Sequence, residues 1–178
     1  MTLVAPADLP SGRLLALDLG QARTGVAACD ELGMLAAPLT VLRRHLTRAA
    51  AAPDLVLCST AMRTRQTLAL VLLEMTAKPA EILYEDALYL ATPSQLRARL
   101  AAVATTVGHV MIVGHNPGLH ALALELTGTG PKRAVVQLAK KFPTAALAVI
   151  DFPDAAEWHG VQPAGGTLRT FVTPRDLD

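Results

Sequence analysis

The chain has 178 residues and a mass of 18.7 kDa, the size of one domain with a core large enough to need no disulfide or structural metal. Hydrophobic residues at 52% against 17% charged exclude a disordered chain, and 16 Lys and Arg against 15 Asp and Glu exclude a generally basic surface for nucleic acid. Aromatics are only 3% while alanine supplies 32 residues, so the core is built from Ala, Leu and Val. Residues 1–12 read as a loose arm with Pro6, Pro10 and Gly12, and the apolar run 13–19 (RLLALDL) reads as a buried strand. After Gly20, residues 24–29 suit a second strand, and 39–42 a third strand or a helix start. A short helix over 43–52 is ended by Pro53.

From there the alternation is cleaner. Strands are predicted over 54–58, 82–84, 110–113, 145–152 and 168–172, and helices over 62–76, 93–105 and 119–126. Ser59 is placed as an N-cap or loop residue, and Thr92 or Ser94 near the cap of the second of these helices. Residues 132–141 form a basic helical or loop segment whose Lys132, Arg133, Lys140 and Lys141 read as a solvated face or, alternatively, as a guide for an anionic partner protein. Strands alternating with helices predict a three-layer α/β/α sandwich on a mostly parallel sheet, as a single domain 1–178 with an atypical segment 1–44.

Two cysteines, Cys29 and Cys58, build no disulfide framework, and neither has the spacing of a zinc site. The amino terminus lacks the pattern of a secretory signal. The longest uncharged run, 100–124, contains Gly, His, Asn and Pro, and reads as helix end, strand, turn and new helix rather than a membrane span. A soluble, cytoplasmic protein is expected.

Two strand-to-helix junctions carry the chemistry. One is CSTAMRTRQT from Cys58, the other VGHNPG from Val113. In an α/β sheet such loops stand at the carboxyl ends of the strands, where ligands bind. Helix N-termini favour anions, Arg63 offers a bidentate fork for phosphate oxygens, and His115 adds a titratable donor. With Ser59 and Asn116 they describe a phosphate pocket. The alternative is a solvated Arg63 and a His115 bonded to turn backbone. No metal or organic cofactor is implied. His109, His120 and His159 lack ligand spacing, Trp158 is read as packing, and Glu85 and Asp86 as loop acids facing solvent, with service as an acid near the site the alternative.

From Pro53 onward the segments PDLVLCSTAMRTRQT, IVGHNPGL, FPTAALAVIDF and FVTPRDL resemble the histidine phosphatase superfamily, in its bacterial phosphohistidine phosphatase branch. The resemblance implies an α/β/α fold, a phosphate-bearing substrate such as a phosphohistidine protein, and phosphoryl transfer through a covalent phosphohistidine. It makes Arg63 the clamp on phosphate oxygens and His115 the second histidine, which stabilises the moving phosphoryl group. Both roles fit a reaction governed by positioning and charge. The family's nucleophile follows an arginine at the end of the first strand, where this chain has Asp18 and Leu19. Leucine cannot attack phosphorus, and Asp18 repels a dianion. If hydrolysis survives this change, His45, after Arg44, is the substitute nucleophile, with His115 behind it; the alternative is a phosphate-binding pseudo-enzyme that keeps Arg63 and His115 and has lost the reaction. His45 is eight residues from the next strand, too few for a crossover helix, and reaches the pocket only through an altered topology.

Residues 12–44 (GRLLALDLGQARTGVAACDELGMLAAPLTVLRR) resemble the start of Holliday-junction-resolvase-like nucleases of ribonuclease-H fold. That resemblance implies that Asp18 helps hold a divalent metal. The later carboxylates of that family are not recognisable after Arg44, so a nuclease site is incomplete and nucleic acid is not the expected partner. The chain thus reads as two family fragments joined near 44–48. The first strand fills the missing place in the sheet, and an exposed apolar patch or a partner is expected on one face.

Overall fold

The computed structural model describes residues 13–18, 52–75, 77–153, 155 and 157–173. The elements expected at 24–29 and 39–42, nearly all of the helix at 43–52, and His45 itself lie outside the described residues.

The strands are β1 (Arg13–Asp18), β2 (Leu55–Ser59), β3 (Glu81–Glu85), β4 (His109–Gly114), β5 (Thr127–Thr129), β6 (Leu147–Asp151) and β7 (Gly166–Val172). The helices are α1 (Met62–Glu74), α2 (Pro93–Ala101), α3 (Gly118–Leu126) and α4 (Lys132–Lys140). The strands form one sheet in the order β3-β2-β4-β1-β6-β7-β5. β1, β2, β3 and β4 run parallel to their neighbours in that half of the sheet. β6 is antiparallel to both β1 and β7, while β5 pairs parallel with β7. Among the described strands β6 is therefore the reversed one, and the sheet is mixed but mostly parallel.

Side chains alternate across a strand, and β2 shows what that does. Leu55 and Leu57 face one layer with Val110, Ile112, Ala148 and Ile150, and are covered by Leu96 and Leu100 of α2 and Leu119, Leu122 and Leu126 of α3. Val56 and Cys58 face the other layer with Met111, Val113, Leu147 and Val149, where Leu68 and Val71 of α1 pack on them. Both faces are dry: Leu57, Ile112 and Ile150 on the first and Met111, Val113, Leu147 and Val149 on the second are at most 1% exposed. The exposed apolar patch expected there is absent from these strands.

Local chemistry explains the boundaries. Thr92 and Gln95 form a capping box, with the Thr92 side chain accepting from the Gln95 N–H and Gln95 Oε1 from the Thr92 N–H, and Pro93 opens α2. That helix stops at Ala101, short of the expected 105, because Val103 and Val107 turn back onto the carbonyls of Leu100 and Ala104. Ser59 is the last residue of β2 and not a helix cap; Ala61 takes the N-cap position of α1 without a side-chain bond. β5 was not expected, since TGT has no apolar alternation. Close approach fixes it: a Cβ on Gly128 would lie 1.8 Å from the Ala164 carbonyl oxygen.

Gly118 has a similar role nearer the site. A Cβ there would lie 1.9 Å from the carbonyl oxygen of Ala91. Alanine is the better helix former by ~1 kcal/mol, but forcing backbone apart costs about 1–3 kcal/mol or more. Gly118→Ala is thus expected to destabilise the protein in urea titrations; an unchanged midpoint would mean that the 91 loop yields freely.

Candidate functional site

β1, β2 and β4 end side by side, with Asp18 in register with Gly114 and Cys58 in register with Val113. The chain leaves β2 for α1 and β4 for α3 at this edge, so both helices begin at the same place. Neither has a side-chain cap at its N-terminus, and the positive dipole ends of both meet there.

Arg63 stands in the first turn of α1, and His115 directly follows β4. Nη2 of Arg63 lies 2.7 Å from Nδ1 of His115, and Nε2 of His115 lies 2.9 Å from Oγ of Ser59. Guanidinium nitrogens only donate, so Nδ1 accepts and the imidazole proton resides on Nε2, donated to Ser59. His115 is 3% exposed. Burial, and then the charge of Arg63, pull its pKa from 6.5 down to about 4, so it is neutral at pH 7. Arg63 carries a further feature: its Nε–H is buried with no hydrogen-bond partner among the described residues. A buried cationic donor left in this way calls for an acceptor.

The other expected residues divide. Ser59 is fully buried, and its carbonyl and hydroxyl hold the turn through Thr64 Oγ1 at 2.8 Å and the Ala61 N–H at 3.4 Å. Asn116 adjoins His115, but its side-chain N–H is donated to the Phe142 carbonyl at 2.5 Å, tying the loop after β4 to the segment before β6. His45 lies outside the described residues, as do the surroundings of the Asp18 side chain. Glu85 is bound by Arg99 through contacts of 2.7, 2.8 and 3.0 Å and is no open loop acid. Asp86 is exposed and accepts from the Thr60 hydroxyl at 2.5 Å. The Cys58 thiol, pushed up to about 11 chiefly by burial, stays protonated at neutral pH and is no nucleophile.

Of the remaining histidines, His109 lies 3.4 Å from Asp54 at the opposite edge, His120 donates to the Leu138 carbonyl at 2.7 Å, and His159 pairs with Glu157 at 2.9 Å. Trp158 is buried and donates to the Val107 carbonyl at 2.6 Å. No group of three or more His, Cys, Asp or Glu side chains among the described residues could hold a metal ion. No helix among them is long and apolar enough to cross a membrane.

Sequence reasoning missed Tyr89. Its ring meets the His115 imidazole edge-on, with centroids 5.2 Å apart at 76°, and the Arg63 guanidinium carbon lies 5.6 Å from its centroid. Tyr89 thus buttresses both groups while remaining 52% exposed. The only signal was rarity, since the chain has two tyrosines.

Known proteins share this fold. The fold matches a protein from Nakamurella multipartitia assigned as phosphohistidine phosphatase SixA, with 25% identity, TM-score 0.68, and coverage of 93% of this chain and 98% of that one. A second protein so assigned, from Agrobacterium tumefaciens, matches at 27% identity and TM-score 0.65 over 93% of this chain and 99% of that one. A histidine phosphatase SixA complexed with tungstate shares the fold at 20% identity and TM-score 0.65, over 93% and 99% of the two chains. Among sequence relatives, the uncharacterized protein Rv1276c of Mycobacterium tuberculosis is 37% identical over 126 residues, 70% of this chain and 75% of that one. The uncharacterized protein ML1117 of Mycobacterium leprae is 36% identical over 121 residues, 67% and 71% of the two. A family model described as RuvX, Holliday junction resolvase, matches residues 12–71.

Proposed function

This chain belongs to the histidine phosphatase superfamily, and on that premise we propose that it binds the phosphoryl group of a phosphohistidine-bearing cytoplasmic protein between Arg63 and His115 without passing the group through His115. The observation that carries this is the Arg63–His115 pair itself, with its orphaned Nε–H beside two open helix N-termini. A phosphate oxygen supplies the acceptor that Nε lacks. As the anion draws Nη2 of Arg63 off the imidazole, the dianion favours a second proton on His115, and Nδ1 becomes a donor. Tyr89 holds both groups in line.

The same geometry argues against His115 as the nucleophile. Attack requires a free lone pair, and in the neutral ring the one lone pair, on Nδ1, is engaged by Arg63. Once protonated the ring has none. Nothing among the described residues at the edge replaces it: Ser59 receives the His115 proton, and Cys58 is held as a thiol.

Phosphoryl trapping tests the reading. The protein is incubated with phosphoramidate, quenched at alkaline pH and mapped by mass spectrometry. Phosphate binding with no phosphohistidine is the expected result. A stoichiometric label on His45 would make the chain an active phosphatase working through the segment joined at 44–48, and a label on His115 would contradict the hydrogen-bond argument. The match over 12–71 favours a second reading, a nuclease that uses Asp18. Magnesium-dependent cleavage of nucleic acid, lost in Asp18→Asn, would establish it.

A further inference from the structure

The segment between Glu125 and Asp151 contains no acidic residue, yet Lys132, Arg133, Lys140 and Lys141 lie within it, all exposed. In α4, Lys132, Val136 and Lys140 follow one another at i, i+4 and i+8, with Arg133 beside them, within an arc of ~100°. The opposite face is buried through Ala134 and Leu138. The exposed face is thus a cationic stripe ~12 Å long, with Val136, 44% exposed, at its centre.

Helix stability does not account for the stripe. Lys132 occupies the first turn, which has no acidic residue and no side-chain cap. Cations at that end oppose the helix dipole. The stripe is also anchored to the phosphoryl site: the Leu138 carbonyl accepts from His120 Nε2 at 2.7 Å, and the Phe142 carbonyl accepts from the Asn116 side chain at 2.5 Å. Phe142, two residues past the carboxyl end of α4, is therefore one hydrogen bond from the residue that follows His115.

We infer that the exposed face of α4 is a docking surface for an acidic segment of the phosphorylated partner protein. The inference rests on the phosphoryl-binding reading of Arg63 and His115 and adds to it the chemical class of the partner. Complementary charge steers such a partner and orients its phosphoryl group toward the site. A polypeptide fits better than nucleic acid. The stripe has an apolar centre and no aromatic side chain on which bases could stack, and the net charge of the chain is only +1.

The test uses the full chain and the triple variant Lys132→Glu, Arg133→Glu, Lys140→Glu. Acids at the start of α4 suit the dipole, so the variant is expected to fold. The probes are an Asp/Glu-rich peptide with a non-hydrolysable phosphohistidine analogue, its Asn/Gln counterpart, the acidic peptide without the analogue, inorganic phosphate, and duplex DNA. The acidic analogue peptide is expected to bind more tightly than the neutral one. Each exposed ion pair contributes about two- to five-fold, so the variant should lose roughly tenfold or more. High salt should remove the same difference, while inorganic phosphate binds both proteins equally. Equal affinity for the two analogue peptides, or an advantage that survives in the variant, would overturn the inference. So would DNA binding to α4 more tightly than the acidic peptide. If phosphate fails to bind while the plain acidic peptide still binds through α4, the docking surface stands and the reading of Arg63 and His115 falls.

Discussion

Replacing Arg63 with alanine is expected to weaken inorganic phosphate binding about 10- to 100-fold, since a hydrogen bond to a charged group contributes ~1.5–3 kcal/mol. The size follows from the guanidinium geometry, which can give two parallel donors to one phosphate. Arg63→Lys keeps the charge but loses the fork, and should fall between the two. The substitution has a second consequence. Arg63 is one of the two causes of the low His115 pKa, the smaller after burial, so that pKa should rise when the arginine is removed. Calorimetry of phosphate binding checks the first effect and histidine NMR the second. An unchanged phosphate affinity would show that the anion does not meet Arg63.

Stability is expected to fall as pH drops from 6.5 toward 4, and His115 is the reason. Its pKa moves from 6.5 in the free side chain to about 4 in the folded protein. In that window the unfolded chain binds a proton that the folded chain does not, so acid favours unfolding and stability rises with pH. The contribution is complete above pH 6.5 and is lost progressively as pH approaches 4. Its ceiling follows from about 1.36 kcal/mol per pH unit; 6.5 − 4 gives roughly 2.5 units, hence about 3 kcal/mol. Urea titrations at pH 7, 5.5 and 4 measure the slope, and His115→Asn should flatten it. Equal slopes in the two proteins would assign the acid sensitivity elsewhere.

Much of the fold was legible because its central strands are short apolar runs bounded by breakers. Residues 54–58 and 110–113 could only be buried strands, and they are β2 and β4 to within one residue at each end. Of Thr92 and Ser94, both placed near the cap of α2, Thr92 is the cap, in a box with Gln95. The direction of β6 was not legible, because a buried strand reads the same whichever way it runs. β5 was hidden for another reason: tertiary contact at Gly128, and not local pattern, makes it a strand.

The site was legible in its two principal residues and not in their support. Arg63 and His115 are 52 residues apart, yet each follows an apolar strand at the opening of a helix, and parallel neighbours bring such junctions together. Ser59 was named for phosphate and serves the imidazole. Tyr89 gave no periodic or motif signal, and its role exists only because the loop before α2 folds back over the edge. The first strand behaved as its apolar run required, pairing with β4 on one side and β6 on the other. This places Asp18 in register with Gly114, the residue before His115.

Imidazole-resolved NMR of His115 during a phosphate titration at pH 7 tests the central claim most directly. Free protein should show a neutral ring with its proton on Nε2, and phosphate should shift both ring nitrogens toward the doubly protonated state. His115 resonances that stay still at saturating phosphate, while phosphate demonstrably binds, would place the anion away from Arg63 and His115 and contradict the account.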